Sequence, residues 1–344
     1  MILRNRWVMA IAVGILTTVS PSAQAQQQTI RLTTLAPRGS SYHRSLQRMG
    51  EAWREASNGR VRLIIYAGGI QGGETAMVER MAINQSQAAM LTADGLKTIE
   101  PATAGLQMMP MMFRNLREVD YVGEQLHPML EERMLDRGYV VLGWADTGWV
   151  RFFSRDPVIH PDDLKRQKLF TTTGSPETEE VYNWAGMNAV PLEPTDILTG
   201  LQTGLIDAAA LPPFFALATR VFSLAPHMLE LNWAPLVGAL VIKRETWDAI
   251  PEANKSEMLE AARTAAVEIH AAGRREGDDA VETMRNRWNL QVTPVEPGGE
   301  VDTEWRRTAE TAYPRIRGHI VPADVFDEVQ RLLREYREAN EGSN

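Results

Sequence analysis

Few residues in this chain are equipped for chemistry, and their spacing argues against most of it. Six histidines (His43, His127, His160, His227, His270 and His319) are scattered, and none stands in a metal-ligand pattern such as HExxH. No serine sits in a G-x-S-x-G elbow. The absence of cysteine removes thiol nucleophiles, zinc–thiolate sites and disulfides. Asp162 and Asp163 pair two carboxylates, but "HPDDLK" reads as a helix start, where acids complement the dipole. The glycine-rich "AGGIQGGE", Ala67 to Glu74, could offer backbone N–H groups to a ligand. It has neither the G-x-G-x-x-G order nor the lysine of a P-loop, so a tight turn is the plainer reading. Gln71 in that turn and Thr92 further on are candidate polar contacts.

Aromatic residues beside cations raise a different chemistry. In "KRQKLFTTTG" three cations lead into Leu169 and Phe170, then three threonines. A large aromatic at the centre of so polar a strand faces either a core or a ligand. In "TGWVRFF" strict alternation puts Trp149, Arg151 and Phe153 on one face. That arginine would stack on the aromatics, join a salt bridge, or hold an anion. "MMPMMFRN" is a sulfur-rich patch suited to filling a core or lining an adaptable surface.

These residues need a scaffold, and the hydrophobic pattern supplies an alternating one. "QTIRLTTLA" reads as a strand, and "SSYHRSLQRMGEAWREASNG" as a helix with Leu46, Met49 and Trp53 on one face. "RVRLIIYAGG", "AAML" and "YVVLGWA" read as strands, with helices at "GETAMVERMAIN" and "LREVDYVGEQLHPMLEERMLDRG". The middle third continues in the same style, with strands near Lys168 to Thr172, near Val190, at "LIDAAAL" and at "PLVGALVI". Strand, helix, strand at this spacing predicts βαβ units and a largely parallel sheet. Pro251 to Trp288 predicts one long helix, and two more helical segments follow Gly299.

The N-terminus bears on compartment. Arg4 and Arg6 precede the apolar run Trp7 to Leu16 and then "AQA", the layout of a secretory signal peptide cut after Ala25. The run is shorter than the roughly 20 apolar residues of a membrane span. Removing residues 1–25 takes the net charge from −8 to −10. Such acidity disfavours nucleic acid and anionic membranes as partners.

Three stretches, in order, resemble one family: "NGRVRLIIYAGGIQGGE", "RFFSRDPVIHPDDLKRQKL" and "MNAVPLEPTDILTGLQTGLIDAAALP". They look like the solute-binding proteins of TRAP (tripartite ATP-independent periplasmic) transporters, of the dicarboxylate-binding type. The resemblance runs from about Gln28 to Ile250, roughly two thirds of the chain. It implies an α/β fold, a two-lobed periplasmic-binding-protein clamshell with mixed sheets and a long bracing helix. Lobe I would comprise residues 26–145 and 236–286, lobe II residues 146–235, with a helical segment 287–344 packing across both. It implies no enzyme and no cofactor. The expected partners are a small-molecule ligand and the small and large membrane subunits of a transporter, without membrane insertion.

The departures from the family pattern concern the ligand. Where the family carries a carboxylate-gripping arginine, this chain has Phe170; where it carries an asparagine before proline, this chain has Leu211. Arg151 matches a second family arginine. A charge-assisted hydrogen bond is worth about 1.5–3 kcal/mol, so losing a bidentate clamp disfavours a dicarboxylate. The expected ligand therefore has an apolar or aromatic body and at most one carboxylate, held by Arg151. Trp149, Phe170, Thr171, Leu211, Phe214, Phe215 and Trp233 would form the walls. Alternatives are a neutral lipid-like ligand, or a carrier that docks on a receptor as an extracytoplasmic sensor. A secreted enzyme has no support in the sequence.

Overall fold

The computed structural model describes residues 27–341, so the expected signal peptide at residues 1–25 lies outside the described residues. Lobe I opens with β1 (Gln28–Thr34), α1 (Ser41–Ala56), β2 (Val61–Tyr66), α2 (Glu74–Ala82), β3 (Ala88–Thr92), α3 (Ala93–Leu96) and α4 (Leu116–Asp136). Strand β4 (Tyr139–Ser154) then carries the chain into lobe II. That lobe holds α5 (Pro161–Lys165), β5 (Lys168–Thr172), α6 (Pro176–Trp184), β6 (Asn188–Leu192), α7 (Ile197–Thr203), β7 (Ala208–Leu211) and α8 (Pro213–Thr219). Strand β8 (His227–Lys243) returns. The chain ends with α9 (Arg244–Asp248), α10 (Glu252–Trp288), β9 (Gln291–Pro294), α11 (Glu300–Glu310), α12 (Tyr313–Ile316) and α13 (Ala323–Glu341).

All strands join one mixed sheet in the order β2-β1-β3-β8-β4-β7-β5-β6, with β9 beside β8. The first lobe's β1, β2 and β3 run parallel, as do β5, β6 and β7 in the second. The two long strands, β4 and β8, are antiparallel and cross between the lobes. "YVVLGWA" and "TGWVRFF", read as separate strands from sequence, are thus one 16-residue strand.

Two helical layers position the cleft. The 37-residue α10 packs along α1 on one side and on β4 and α8 on the other. Gly273 lets it approach closely: a Cβ there would lie 2.6 Å from Thr147 Cα and 2.9 Å from the Tyr42 hydroxyl. The next residue, Arg274, donates to Asp120 on α4 (2.9 Å) and to Asp146 on β4 (2.7 Å), and His270 Nδ1, about one turn back, lies 3.0 Å from Asp146. Burial works against the Asp146 charge, yet these hydrogen bonds hold its pKa below the usual carboxylate range. The α11 segment docks on lobe II through Trp305, which is fully buried against Phe152 and Trp233.

Candidate functional site

A cavity of about 250 Å³ lies between the lobes, near the lower edge of the roughly 300–1,000 Å³ common for small-molecule sites. Its walls come from the ends of β3 and β5, the crossing segments of β4 and β8, helix α1 and the start of α8. Of the residues expected from sequence, Thr92, Phe170, Thr171, Leu211, Phe214, Phe215 and Trp233 line it. Phe170 also packs into the lobe II core with Ile197 and Leu211, so it serves core and cavity together. Thr92 is already engaged: its N–H and hydroxyl both donate to Glu74, at 2.9 and 2.6 Å.

Trp149, Arg151 and Gln71 are not among the lining residues, and the sheet explains the first two. Along β4 the cavity is faced by Gly143, Ala145 and Thr147, then by Val150. Gly148 (φ 82°) sits in a register shift between Asp146 and Trp149, and one extra residue there flips the period-two alternation. Val150 therefore takes the inward place that strict alternation assigned to its neighbours. Trp149 packs on the cluster around α4 and α13 instead. Arg151 turns to Glu230, 3.1 Å away, on a further bulge where β8 carries residues 230–233 past β4. Gln71 stays in the 67–74 turn, where its carbonyl accepts from Arg80.

Pattern reading missed several lining residues, among them Tyr42, Glu74, Asp94, Gln107, Thr147 and Val150. Only a three-dimensional arrangement brings α1 and α3 to the ends of β5. Glu74 and Asp94 are the charged residues in the lining, and no lysine, arginine or histidine lines the cavity. Glu74 is buried and accepts from Thr92 N, the Thr92 hydroxyl and Gly95 N. Burial nevertheless pushes its pKa up to about 7. Asp94 is neutralised by Lys97 at 2.7 Å.

Asp94 and Lys97 also close the cleft. From lobe II, Ser175 and Thr178 donate to Asp94 Oδ1 (2.5 and 2.8 Å), while Lys97 reaches Ser175 (2.7 Å) and Glu177 (3.2 Å). The glycine-rich turn joins them: Gly73 N–H donates to Glu193 Oε2 at 3.0 Å, and Thr75 to the Gly174 carbonyl at 2.9 Å. The described residues contain one cluster of metal-ligating type, Asp120, Asp146 and His270. It lies outside the cavity, and the Arg274 guanidinium already pairs with both its carboxylates.

A two-lobed fold with a cavity between the lobes is the architecture of a solute-binding protein. Residues 32–317 match the model of the bacterial extracellular solute-binding protein family 7. The chain belongs to that family. Solute-binding proteins of family 7 are periplasmic proteins that bind small molecules and work with membrane subunits. No helix among the described residues is long and apolar enough to cross a membrane. Similar proteins include the 2,3-diketo-L-gulonate-binding periplasmic protein of Escherichia coli, 23% identical over 69% of this chain and 73% of that protein. The crystal structure of a sugar acid binding protein from Advenella mimigardefordensis, in complex with galactonate, superposes with a TM-score of 0.81 and 16% identity. The superposition covers 90% of this chain and 99% of that one. A TRAP periplasmic solute-binding protein from Sulfurospirillum deleyianum, with bound succinate, gives 0.79 and 20% over 89% and 99%. This solute-binding protein shares their fold while presenting a cavity without a lining cation.

Proposed function

We propose that this protein captures an uncharged, apolar-bodied small molecule in the periplasm and delivers it to the small and large membrane subunits of a TRAP transporter. Export would use the signal peptide at residues 1–25, and the ligand would be released unchanged. One observation carries the ligand reading: the cavity is walled by apolar side chains, its charged residues are Glu74 and Asp94, and no cation lines it. Galactonate and succinate, held by the structural relatives, are carboxylates. A carboxylate entering this cavity would lose its hydration with no cation on the lining to replace it, at a cost of several kcal/mol. An apolar body gains about 25 cal/mol for each Å² it buries.

A panel of thermal shifts tests the proposal. Uncharged apolar molecules should raise the melting temperature, whereas succinate, galactonate and glucuronate should leave it unchanged. Stabilisation by any of those acids at micromolar concentration would reverse the reading. A second reading keeps a monocarboxylate on Arg151 and is favoured by one fact: its Nε is buried without a partner. That reading requires Arg151 to leave Glu230. Arg151→Ala should hardly change affinity for an uncharged ligand, but should cost a carboxylate about 2 kcal/mol or more.

A further inference from the structure

The sheet ends at β2 in lobe I and at β6 in lobe II, with β9 as a further short edge. An unpaired edge offers a row of backbone N–H and C=O groups, and proteins usually blunt it. Pro191 in β6 and Pro294 in β9 do so, each removing a donor from its strand. Strand β2, VRLIIY from Val61 to Tyr66, has no proline. Among the described residues, its positions 62–66 make no backbone hydrogen bond outside the ladder to β1. Leu63, Ile64, Ile65 and Tyr66 are each half-buried. Charge marks the same edge. Residues 27–66 carry seven arginines and two glutamates, a formal +5, in a chain of net −8. A groove between α1 and β2 is lined by Leu63 and Ile65 with Arg44, Arg48, Arg54 and Arg62, and by Glu51 and Glu55. Arg48 is paired with Glu268, and Arg54 with Glu51. Arg62 is exposed and has no ion pair or side-chain hydrogen bond among the described residues. Arg44, also exposed, donates only to the Gly39 carbonyl, at 2.6 Å.

We propose that this edge docks an extended, acidic segment of a partner protein, which joins the sheet beside β2 as an added strand. Its main chain pairs with the free N–H and C=O groups of β2, and its carboxylates meet Arg62 and Arg44. Apolar side chains at alternate positions of the segment cover Leu63 and Ile65. An anionic lipid surface or a nucleic acid would meet the arginines but leave the backbone groups of the strand unpaired. A second copy of this chain would set Arg62 and Arg44 against like charges, which destabilises a strand pair. An acidic strand answers both features. Opposite charge also guides the encounter, while the acidic remainder of the chain repels the segment elsewhere and so confines docking to this edge. The groove shares no lining residue with the interlobe cavity, so the docking site does not depend on what the cavity holds.

A blocked peptide alternating glutamate with valine is the probe, and calorimetry on the full-length mature protein at low salt reads its dissociation constant. The controls are the lysine-for-glutamate peptide, the acidic peptide N-methylated at alternate residues, and phosphatidylglycerol vesicles. The acidic peptide should bind, with an affinity that falls as salt rises. Hydrogen exchange should slow at the backbone amides of residues 62–66 when it does. Arg62→Glu should weaken the peptide about tenfold, and adding Arg44→Glu should weaken it further. Arg62 is exposed and unpaired, so its substitution should leave the melting temperature unchanged. N-methylation should also cost about tenfold, because it removes the donors an added strand needs. Equal binding of the N-methylated peptide would overturn strand addition. Equal binding of the lysine peptide, or an affinity indifferent to Arg62→Glu, would overturn the role assigned to the arginines. No binding of the acidic peptide would overturn the site itself, and tighter binding of vesicles would give the patch to a lipid surface instead. A dimer of the protein that Arg62→Glu dissociates would give the edge to a second copy.

Discussion

At Phe170 one side chain serves the lobe II core and the cavity wall, and it is nearly buried. Phe170→Arg would place an unpaired cation there, lowering stability by about 3–5 kcal/mol, as buried charges without partners do. Added succinate should then restore much of the loss, which paired urea melts with and without it would show. Two titrating residues act oppositely on stability. Glu74 has its pKa raised from 4.5 to about 7, chiefly by burial. Between those values the folded form keeps a proton that the unfolded chain has released, so stability falls as pH rises. His127, half-buried and stacked 4.6 Å from Trp144, has its pKa lowered from 6.5 to about 4 by desolvation. In that window the unfolded chain holds the extra proton, so stability falls as pH drops. Each slope reaches about 1.4 kcal/mol per pH unit at its steepest, and the two offset each other where the windows overlap. Relative to the unmodified protein, His127→Phe should make stability fall more steeply with rising pH, and Glu74→Gln should make it rise. Urea midpoints at stepped pH would reveal either change.

On the scale of elements, α10 and β4 decide what the cavity presents. Two glycines of the same helix make the point. Gly277 has no atom within 4 Å of its would-be Cβ, whereas Gly273 faces Thr147 and Tyr42. Gly277→Ala should stabilise by roughly 0.5–1 kcal/mol through helix propensity. Gly273→Ala should destabilise by roughly 1–3 kcal/mol through overpacking, and should weaken ligand binding by shifting Tyr42 and Thr147 in the cavity wall. Denaturation of the two variants side by side, with calorimetry on the second, would check this. The same elements show what sequence reading could reach. Helical spacing was legible in Leu46, Met49 and Trp53, all buried on α1. Alternation along β4 was legible too, but the register shift at Gly148 was not, because a bulge depends on how the partner strand pairs. That shift alone moved the inward place from Arg151 to Val150.

For the whole molecule, closure is a balance between two lobes linked by β4, β8 and α10. The bridge from Asp94 and Lys97 to Ser175, Glu177 and Thr178 stabilises the closed form with protein groups alone. Lys97→Met keeps most of the bulk and removes the cation, so the unliganded protein should open further. Small-angle scattering should then report a larger radius of gyration. Ligand affinity should fall about tenfold, since binding must draw on a less populated closed state. An unchanged radius and affinity would mean that the bridge follows closure without favouring it.

Local order and composition were enough to determine that this chain alternates strands and helices and contains one very long helix. Those properties follow from periodicity, propensity and motif order, which are written along the chain. Tertiary structure alone decided which side chains share the cavity. Tyr42, Thr147 and Thr171 are far apart in sequence, and their grouping depends on a strand bulge, a helix drawn close at Gly273 and two lobes brought together.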